Sequence, residues 1–384
     1  MKTIRFGLNY VPSRRWYYCW NDWNGSEIAE DFDAVAALGV DHLRVQLIWP
    51  YFQPNPTYVS PAHLCRLEEL MTLAGERGLD VQLSALTGFL SGYRFLPSDV
   101  TPDDVFVKED VFSQSTRYLE AILNAVGQRD NFLGFDLGNE INVLSPELPL
   151  DTGDAWGRKM LDFLRPKMQG KWVVNGVDHN PWFNGCTFST RHLAADYDAV
   201  CLHAWPLFTG CLLDSKLDGS RSIHLSAFMT YMARFAVART GQSKPIWIQE
   251  FGCSSEWGDL QQRESFLRQS VPLAIRAGAT WFTWWCSHDV NRQLRFSTLE
   301  YDLGLLTVDN QPKPLAGIYR DLISEYSESS PPKPLAPEEA LPGIEADFAP
   351  RMLRRLPGQQ WIEQNRESTT WELFNRFLKT LPNA

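Results

Sequence analysis

Apolar positions along this chain alternate between short runs of strand length and longer stretches with helical spacing. The strand-like runs are Ile4–Asn9, His42–Ile48, Asp80–Ala85, Phe132–Gly138, Lys171–Asn175, Ala199–Leu202, Ile246–Gln249 and Thr280–Trp284. Between the first two, Ile28, Ala29, Phe32, Val35, Ala36 and Leu38 follow Ser26 and stop at Gly39. After the second, Leu64, Leu67, Leu70, Met71 and Leu73 follow Ser60-Pro61 and stop at Gly78. Each reads as a capped amphipathic helix. Further helices are predicted at Glu109–Val126, Thr152–Leu164, Leu225–Arg239, Leu260–Ala277 and Leu315–Ser324. Eight strands alternating with helices predict βα units closed into a (β/α)8 TIM barrel, an α/β fold.

The same pattern divides the chain. The barrel occupies 1–326, a Pro/Ser-rich linker 327–343, and a C-terminal extension 344–384. The extension keeps Phe348, Met352, Leu353, Leu356, Trp361, Ile362, Trp371, Leu373, Phe374, Phe377 and Leu378. That is too apolar for a disordered tail, so it is expected to pack on the barrel or on a neighbouring subunit of a homo-oligomer. Long loops after strand 1 (Tyr10–Gly25), strand 3 (Thr87–Lys108) and strand 6 (His203–His224) share one face, where they would wall a pocket. The first carries Trp16, Tyr17, Tyr18, Trp20 and Trp23 and is expected to fold over the open face.

Charge narrows the partners. A net charge of −10 over 384 residues weighs against nucleic acid and anionic membrane. The start lacks a signal-peptide run, and no later run approaches membrane-spanning length, so a cytoplasmic protein is expected. Seven scattered cysteines without a C-x-x-C pair fit reduced thiols better than a disulfide framework or a zinc site. Fifteen tryptophans are the other signal. Most belong in a large core, but Trp16, Trp20, Trp23, Trp49, Trp205, Trp257, Trp284 and Trp285 lie in or beside loops and strand ends. Flat aromatic faces there suit the C–H faces of sugar rings, so an oligosaccharide is the expected partner.

Two strands end in a carboxylate. Phe132-Leu133-Gly134-Phe135-Asp136-Leu137-Gly138-Asn139-Glu140 and Pro245-Ile246-Trp247-Ile248-Gln249-Glu250-Phe251-Gly252 each deliver a glutamate to the face where such barrels react. A carboxylate so placed is costly to bury alone. A pair suits glycosidic hydrolysis, with one proton donor and one nucleophile or base. Asn139-Glu140, Gln249-Glu250-Phe251-Gly252, Arg44 in Leu43-Arg44-Val45-Gln46-Leu47-Ile48-Trp49, His203 and Trp284 together resemble the clan of retaining (β/α)8 glycoside hydrolases, and most of all glycoside hydrolase family 5.

The resemblance, spanning roughly Ile4 to Leu322, implies Glu140 as general acid/base and Glu250 as nucleophile. It places Asn139 on the sugar 2-OH, Arg44 beneath Glu250 where it would keep that carboxylate ionised, and His203 beside the acid/base pair. Trp284 would be the sugar platform, with Trp285 its competitor because one step along a strand reverses the facing. Asn9 and Tyr10 are further candidates for polar contacts. Two departures fall at the sugar subsite: His203-Ala204-Trp205 replaces the family's His-x-Tyr, whose Tyr bonds the nucleophile, and Ser84-Ala85-Leu86-Thr87 stands where strand 3 commonly ends near a His.

The expected activity is a retaining exo-β-glycosidase on short β-mannosides, with no cofactor and no metal. The mannose assignment rests on resemblance to bacterial β-mannosidases and mannanases with similar first and second strands. The alternatives are an endo-β-mannanase or β-glucanase, a metal-dependent sugar isomerase using Asp136, Glu140, His203 and Glu250, and a carbohydrate-binding barrel without turnover.

Overall fold

The computed structural model describes residues 3–351 and 360–381. Met352, Leu353 and Leu356 of the expected extension lie outside the described residues. Eight parallel strands make one sheet: β1 Arg5–Tyr10, β2 His42–Ile48, β3 Asp80–Thr87, β4 Phe132–Asp136, β5 Trp172–Val174, β6 Val200–His203, β7 Ile246–Phe251 and β8 Trp281–Trp284. Their order, β5-β4-β3-β2-β1-β8-β7-β6, runs almost fully round a barrel. At the seam Asp198 substitutes for a ladder. Its Oδ2 accepts from the Val173 N–H at 2.7 Å and its own N–H donates to Val173 O at 3.1 Å.

The strands appear where the apolar pattern placed them, with ends displaced by one or two residues. β7 is the informative case, because it continues through Glu250 to Phe251 rather than stopping at Gln249. The helices of six or more residues before the C-terminal segment are α1 Gly25–Ala36, α2 Pro61–Gly75, α3 Glu109–Val126, α4 Leu150–Leu164, α5 Thr190–Ala195, α6 Ser220–Ala238, α7 Leu260–Ala277 and α8 Pro314–Tyr326. The apolar pattern misses α5, since six residues are too few to show a period. Asn24 caps α1 by accepting from Ser26 N and Glu27 N, so Ser26 is inside the helix rather than at its cap.

Two cores result from the alternation of the strands. Leu43, Val45, Leu47, Ile248 and Phe282 point outward and pack under the helices. Inside the barrel, Trp247 and Trp281 lie 5.1 Å apart, Trp172 and Trp281 lie 4.9 Å apart, and the Arg5 guanidinium sits over the Trp281 ring at 4.4 Å. This aromatic floor fills the N-terminal end. Above it the interior becomes polar, through Asn9, Arg44, Gln82, Ser84, Asp136, His203 and Gln249, all without solvent exposure.

After α8 the chain returns along α6. A last helix, Thr369–Lys379, stacks Phe374 on Phe228 at 4.6 Å and sets Phe377 against Tyr231 at 6.0 Å. This explains why α6 is buried over most of its surface and has no broad polar face. Six of the seven cysteines are buried and unpaired, with Cys65 exposed. Among the described residues no helix is long and apolar enough to cross a membrane. Truncating Phe374 to Ala should lower the unfolding free energy by ~3–5 kcal/mol in denaturant titration. A loss below ~1 kcal/mol would mean that the stack with Phe228 contributes little beyond a surface contact.

Candidate active site

Glu140 and Glu250 reach the same point by different backbone devices. Beyond β4, Gly138 passes so close to β3 that a Cβ there would lie 2.6 Å from Leu86 O. Glu140 then adopts φ 43° and ψ 43°, a left-handed conformation uncommon for a residue with a side chain. Its N–H donates to Gly176 O at 2.7 Å, and its carbonyl accepts from Val143 N at 2.8 Å, which locks the turn.

On β7 the device is a bulge. Leu202 pairs with Ile248 but His203 pairs with Glu250, so one residue is extra on β7. Regular alternation would turn Glu250 away from the face that carries Gln249. The bulge re-aims it, and both side chains enter the barrel. A carboxylate oxygen of Glu140, one of Glu250 and a ring nitrogen of His203 consequently lie within 4.8 Å of one another.

Arg44 organises the layer beneath them. It is fully buried. Its Nε and Nη2 donate to Asp136 Oδ2 at 2.9 and 2.7 Å, and its Nη1 to Glu250 Oε1 at 2.7 Å. The same guanidinium donates to Asn9 Oδ1 at 3.0 Å and Asn139 Oδ1 at 2.9 Å. Gly176 leaves room for this layer, since a Cβ there would sit 2.5 Å from Asp136 Oδ2 and 2.8 Å from Arg44 Nη2.

Burial raises the pKa of Glu250, and the charge of Glu140 adds to the rise. His203, Arg44 and the Trp205 N–H oppose it. Arg44 thus acts on Glu250 in the expected direction, lowering its pKa and favouring the ionised form, while desolvation is the larger and opposite effect. Burial also lowers the pKa of His203. Its Nδ1 lies 2.9 Å from Glu140 Oε1 and its Nε2 lies 3.1 Å from the Gln249 amide. The atom facing the ring is Gln249 Oε1, and Gln249 Nε2 has no hydrogen-bond partner among the described residues. Turning that amide so the nitrogen meets the ring makes His203 a neutral imidazole that donates from Nδ1 to Glu140.

A pocket opens above the carboxylates, bounded by Asn139, Glu140, Trp205, Glu250, Trp285 and Glu300 among others. Asn139 and Trp285 line it as the sequence suggested. Arg44, His203 and Asn9 stand behind the wall, and Asn9 Nδ2 is spent on Gln249 O at 2.9 Å. Trp284 is not a platform. It faces the helix layer, with Phe251 at 5.2 Å and Tyr319 at 6.3 Å, and its Nε1 donates to Leu303 O. Tyr10 also faces outward, its hydroxyl donating to Asp31 at 2.8 Å. Strand parity decides both cases.

The aromatics after β1 do not reach the pocket either. Trp16, Tyr17 and Trp20 are buried among themselves and against Phe95, Phe296 and Phe52. The walls come instead from later loops: Phe89 and Ser91 after β3, His179 after β5, Phe208 after β6 and Trp257 after β7. Trp361, from beyond the barrel, closes one side, its ring parallel to His179 at 5.7 Å and to Phe208 at 6.3 Å. Sequence reasoning placed Trp205 among the aromatics suited to sugar faces but did not pair it with Glu250. Its indole N–H donates to Glu250 Oε2 at 3.2 Å, so a donor to that carboxylate stands where the family's tyrosine would.

Known structures share this fold. A GH5_18 variant from Streptomyces cattleya, solved in complex with Manβ1-4GlcNAc, is 30% identical over 98% of this chain and 91% of its own, with TM-score 0.85. The chain belongs to glycoside hydrolase family 5. A GH5_18 variant from Bifidobacterium longum subsp. longum, also solved with Manβ1-4GlcNAc, is 28% identical over 86% of this chain and 80% of its own, with TM-score 0.79. An exo-β-1,4-mannosidase from an Opitutaceae bacterium shares the fold, at 24% identity over 85% of this chain and 60% of its own, with TM-score 0.76. No protein-family model and no curated protein matches.

In this family 5 glycoside hydrolase, Glu140, His203 and Glu250 also have the donor types of a divalent-ion site. Arg44 works against it, because an ion on Glu250 would share that carboxylate with a fixed guanidinium 2.7 Å away. Arg44→Met should therefore destabilise the fold by ~3–5 kcal/mol at neutral pH, by leaving the acids of this layer without their cation. Removing the guanidinium also lets the Glu250 pKa rise further. The folded variant then binds that proton more tightly than the unfolded chain, so the deficit should shrink as pH falls. Urea unfolding at neutral and mildly acidic pH checks this. An equal deficit at both would assign Arg44 to packing alone.

Proposed function

We propose that this hydrolase is a retaining, exo-acting β-mannosidase for short β-mannosides, with Glu250 as nucleophile and Glu140 as acid/base. The observation that carries this reading is the approach of the Glu140 and Glu250 carboxylate oxygens to within 4.8 Å. Retaining pairs stand about 5–5.5 Å apart, whereas inverting pairs need ~6.5–9.5 Å to admit a water.

Glu140 would protonate the leaving oxygen while Glu250 attacks the anomeric carbon from the opposite face. Glu140 would then take a proton from the water that releases the sugar. Glu250 starts with Oε1 bonded to Arg44 and Oε2 to Trp205, which aims it and favours its ionised form. The His203 Nδ1–H orients Glu140. One Asn139 amide hydrogen is used on Phe89 O at 3.0 Å, leaving the other for the sugar 2-OH. Trp285 takes the platform role that strand parity denies to Trp284.

The mannoside assignment is supported by the relatives solved with Manβ1-4GlcNAc. Exo action is supported by the roof. Ser91 Oγ donates to Glu300 at 3.0 Å and Tyr93 OH donates to Arg295 O at 3.0 Å, so the loops after β3 and β8 meet across the barrel mouth.

Two outcomes test this. Glu250→Ala should lower kcat by ~10⁴-fold or more and yield the α-glycosyl azide when azide is added, whereas Glu140→Ala should keep more activity on aryl β-mannosides that need no protonation and yield the β-azide. A first product of inverted configuration by NMR would remove the mechanism. Digestion of β-mannohexaose should release mannose from the earliest time points. Early di- and trisaccharides would point to endo cleavage.

A further inference from the structure

The pocket wall holds a third carboxyl that the double displacement does not use. Glu300 sits in the turn Thr298–Asp302 of the loop after β8, and it borders the same cavity as Glu140, Glu250 and Trp285. Its setting differs from theirs. Glu250 has Arg44, and Glu140 has His203, but among the described residues no lysine or arginine is within ion-pair distance of Glu300. The contact it does make is the hydroxyl of Ser91, at 3.0 Å from Oε2. Desolvation pushes its pKa up to about 7, with the Glu250 and Glu140 charges adding and the Ser91 bond opposing. A carboxyl facing a cavity without a cation has hydrogen-bond capacity left over, since each oxygen accepts two hydrogens and one hydroxyl fills one site.

The place of Glu300 in the roof says which hydroxyls it would meet. It shares a loop with Trp285, the platform for the ring at the cleavage point, and it stands where the loops after β3 and β8 join. In the proposed function that junction is the closed end of the pocket. A ring with its C1 between Glu140 and Glu250 and its 2-OH at Asn139 would carry its 3-OH and 4-OH on the far edge, toward that junction. In a terminal residue both hydroxyls are free. In an internal β-1,4-linked residue the 4-oxygen is substituted and has no hydrogen to donate.

We propose that Glu300 is a specificity-determining residue that accepts hydrogen bonds from the free 3-OH and 4-OH of the terminal sugar, so that the enzyme reads a chain end by a hydroxyl that internal residues lack. This rests on the exo-β-mannosidase reading above. The contact would be present in substrate and transition state alike, so its loss should appear in KM more than in kcat.

The test compares an aryl β-mannoside with its 4-O-methyl derivative. Above pH 7, where Glu300 is ionised, the wild type should turn over the parent and disfavour the methyl ether by ~10- to 100-fold in kcat/KM, the range for hydrogen bonds to a charged group. Glu300→Ala should raise KM for the parent by a similar ~10- to 100-fold, leave kcat within about threefold, and lose most of the discrimination against the ether. Glu300→Gln, which keeps size and an acceptor for Ser91, should fall between the two and serves if the alanine variant does not fold. Tyr93→Phe removes the other tie between the same loops and should leave KM unchanged. An unchanged KM in Glu300→Ala, or a Tyr93→Phe variant that reproduces its KM rise, overturns the proposal while the mannosidase reading stands. Absence of wild-type turnover on the aryl β-mannoside overturns that reading and this inference with it.

Discussion

A single buried guanidinium holds the working end of this barrel together. Arg44 ties β2 to Asp136 at the end of β4, to Glu250 on β7, to Asn9 on β1 and to Asn139 in the turn before Glu140. Taking those charges out of water is expensive, and mutual attraction offsets the cost only when the geometry satisfies nearly every donor. Here each guanidinium nitrogen has an acceptor between 2.7 and 3.0 Å. The arrangement demands that four strand ends converge on one point. Their register is therefore specified from the polar interior as well as by the apolar sheath.

The two glutamates need local distortions that regular strands do not supply. Glu140 lies in a left-handed backbone conformation held by its N–H to Gly176 O, and Glu250 follows a bulge. Such features cost a kcal/mol or so each and persist because the surroundings over-determine them. The result is two carboxyls in one cavity with different partners. Glu250 is bonded by a guanidinium and an indole N–H, which favour the carboxylate. Glu140 has the His203 ring nitrogen at 2.9 Å and stands nearer solvent, a setting that suits the proton exchange proposed for it.

Polarity along the barrel axis separates stability from chemistry. The tryptophan floor of Trp172, Trp247 and Trp281 closes the N-terminal end and excludes water from beneath the Arg44 layer. A dry floor strengthens every charge interaction above it. The C-terminal segment acts at both levels, since Phe374 covers α6 while Trp361 stands in the pocket wall. Its apolar content thus has two uses.

The amino-acid sequence by itself determined the barrel, because eight apolar runs separated by amphipathic stretches leave few other ways to bury strands on both faces. It also singled out Glu140, Glu250, Arg44, Asn139 and His203, since a charged or polar group beside a buried run must find a partner inside. Position along a strand was legible, but facing was not. Trp284 against Trp285, the outward turn of Tyr10 and the inward turn of Glu250 all depend on parity, and one bulge resets parity without a clear mark in the residues. The pocket walls were hidden for another reason: Trp205, Glu300 and Trp361 lie far apart in the chain, and only closure of the barrel and the return of the C-terminal segment along α6 bring them to one cavity. The aromatics after β1 show the converse, where a dense aromatic run packed against itself and Phe95, Phe296 and Phe52 because burial of apolar area is non-directional and takes the nearest surface.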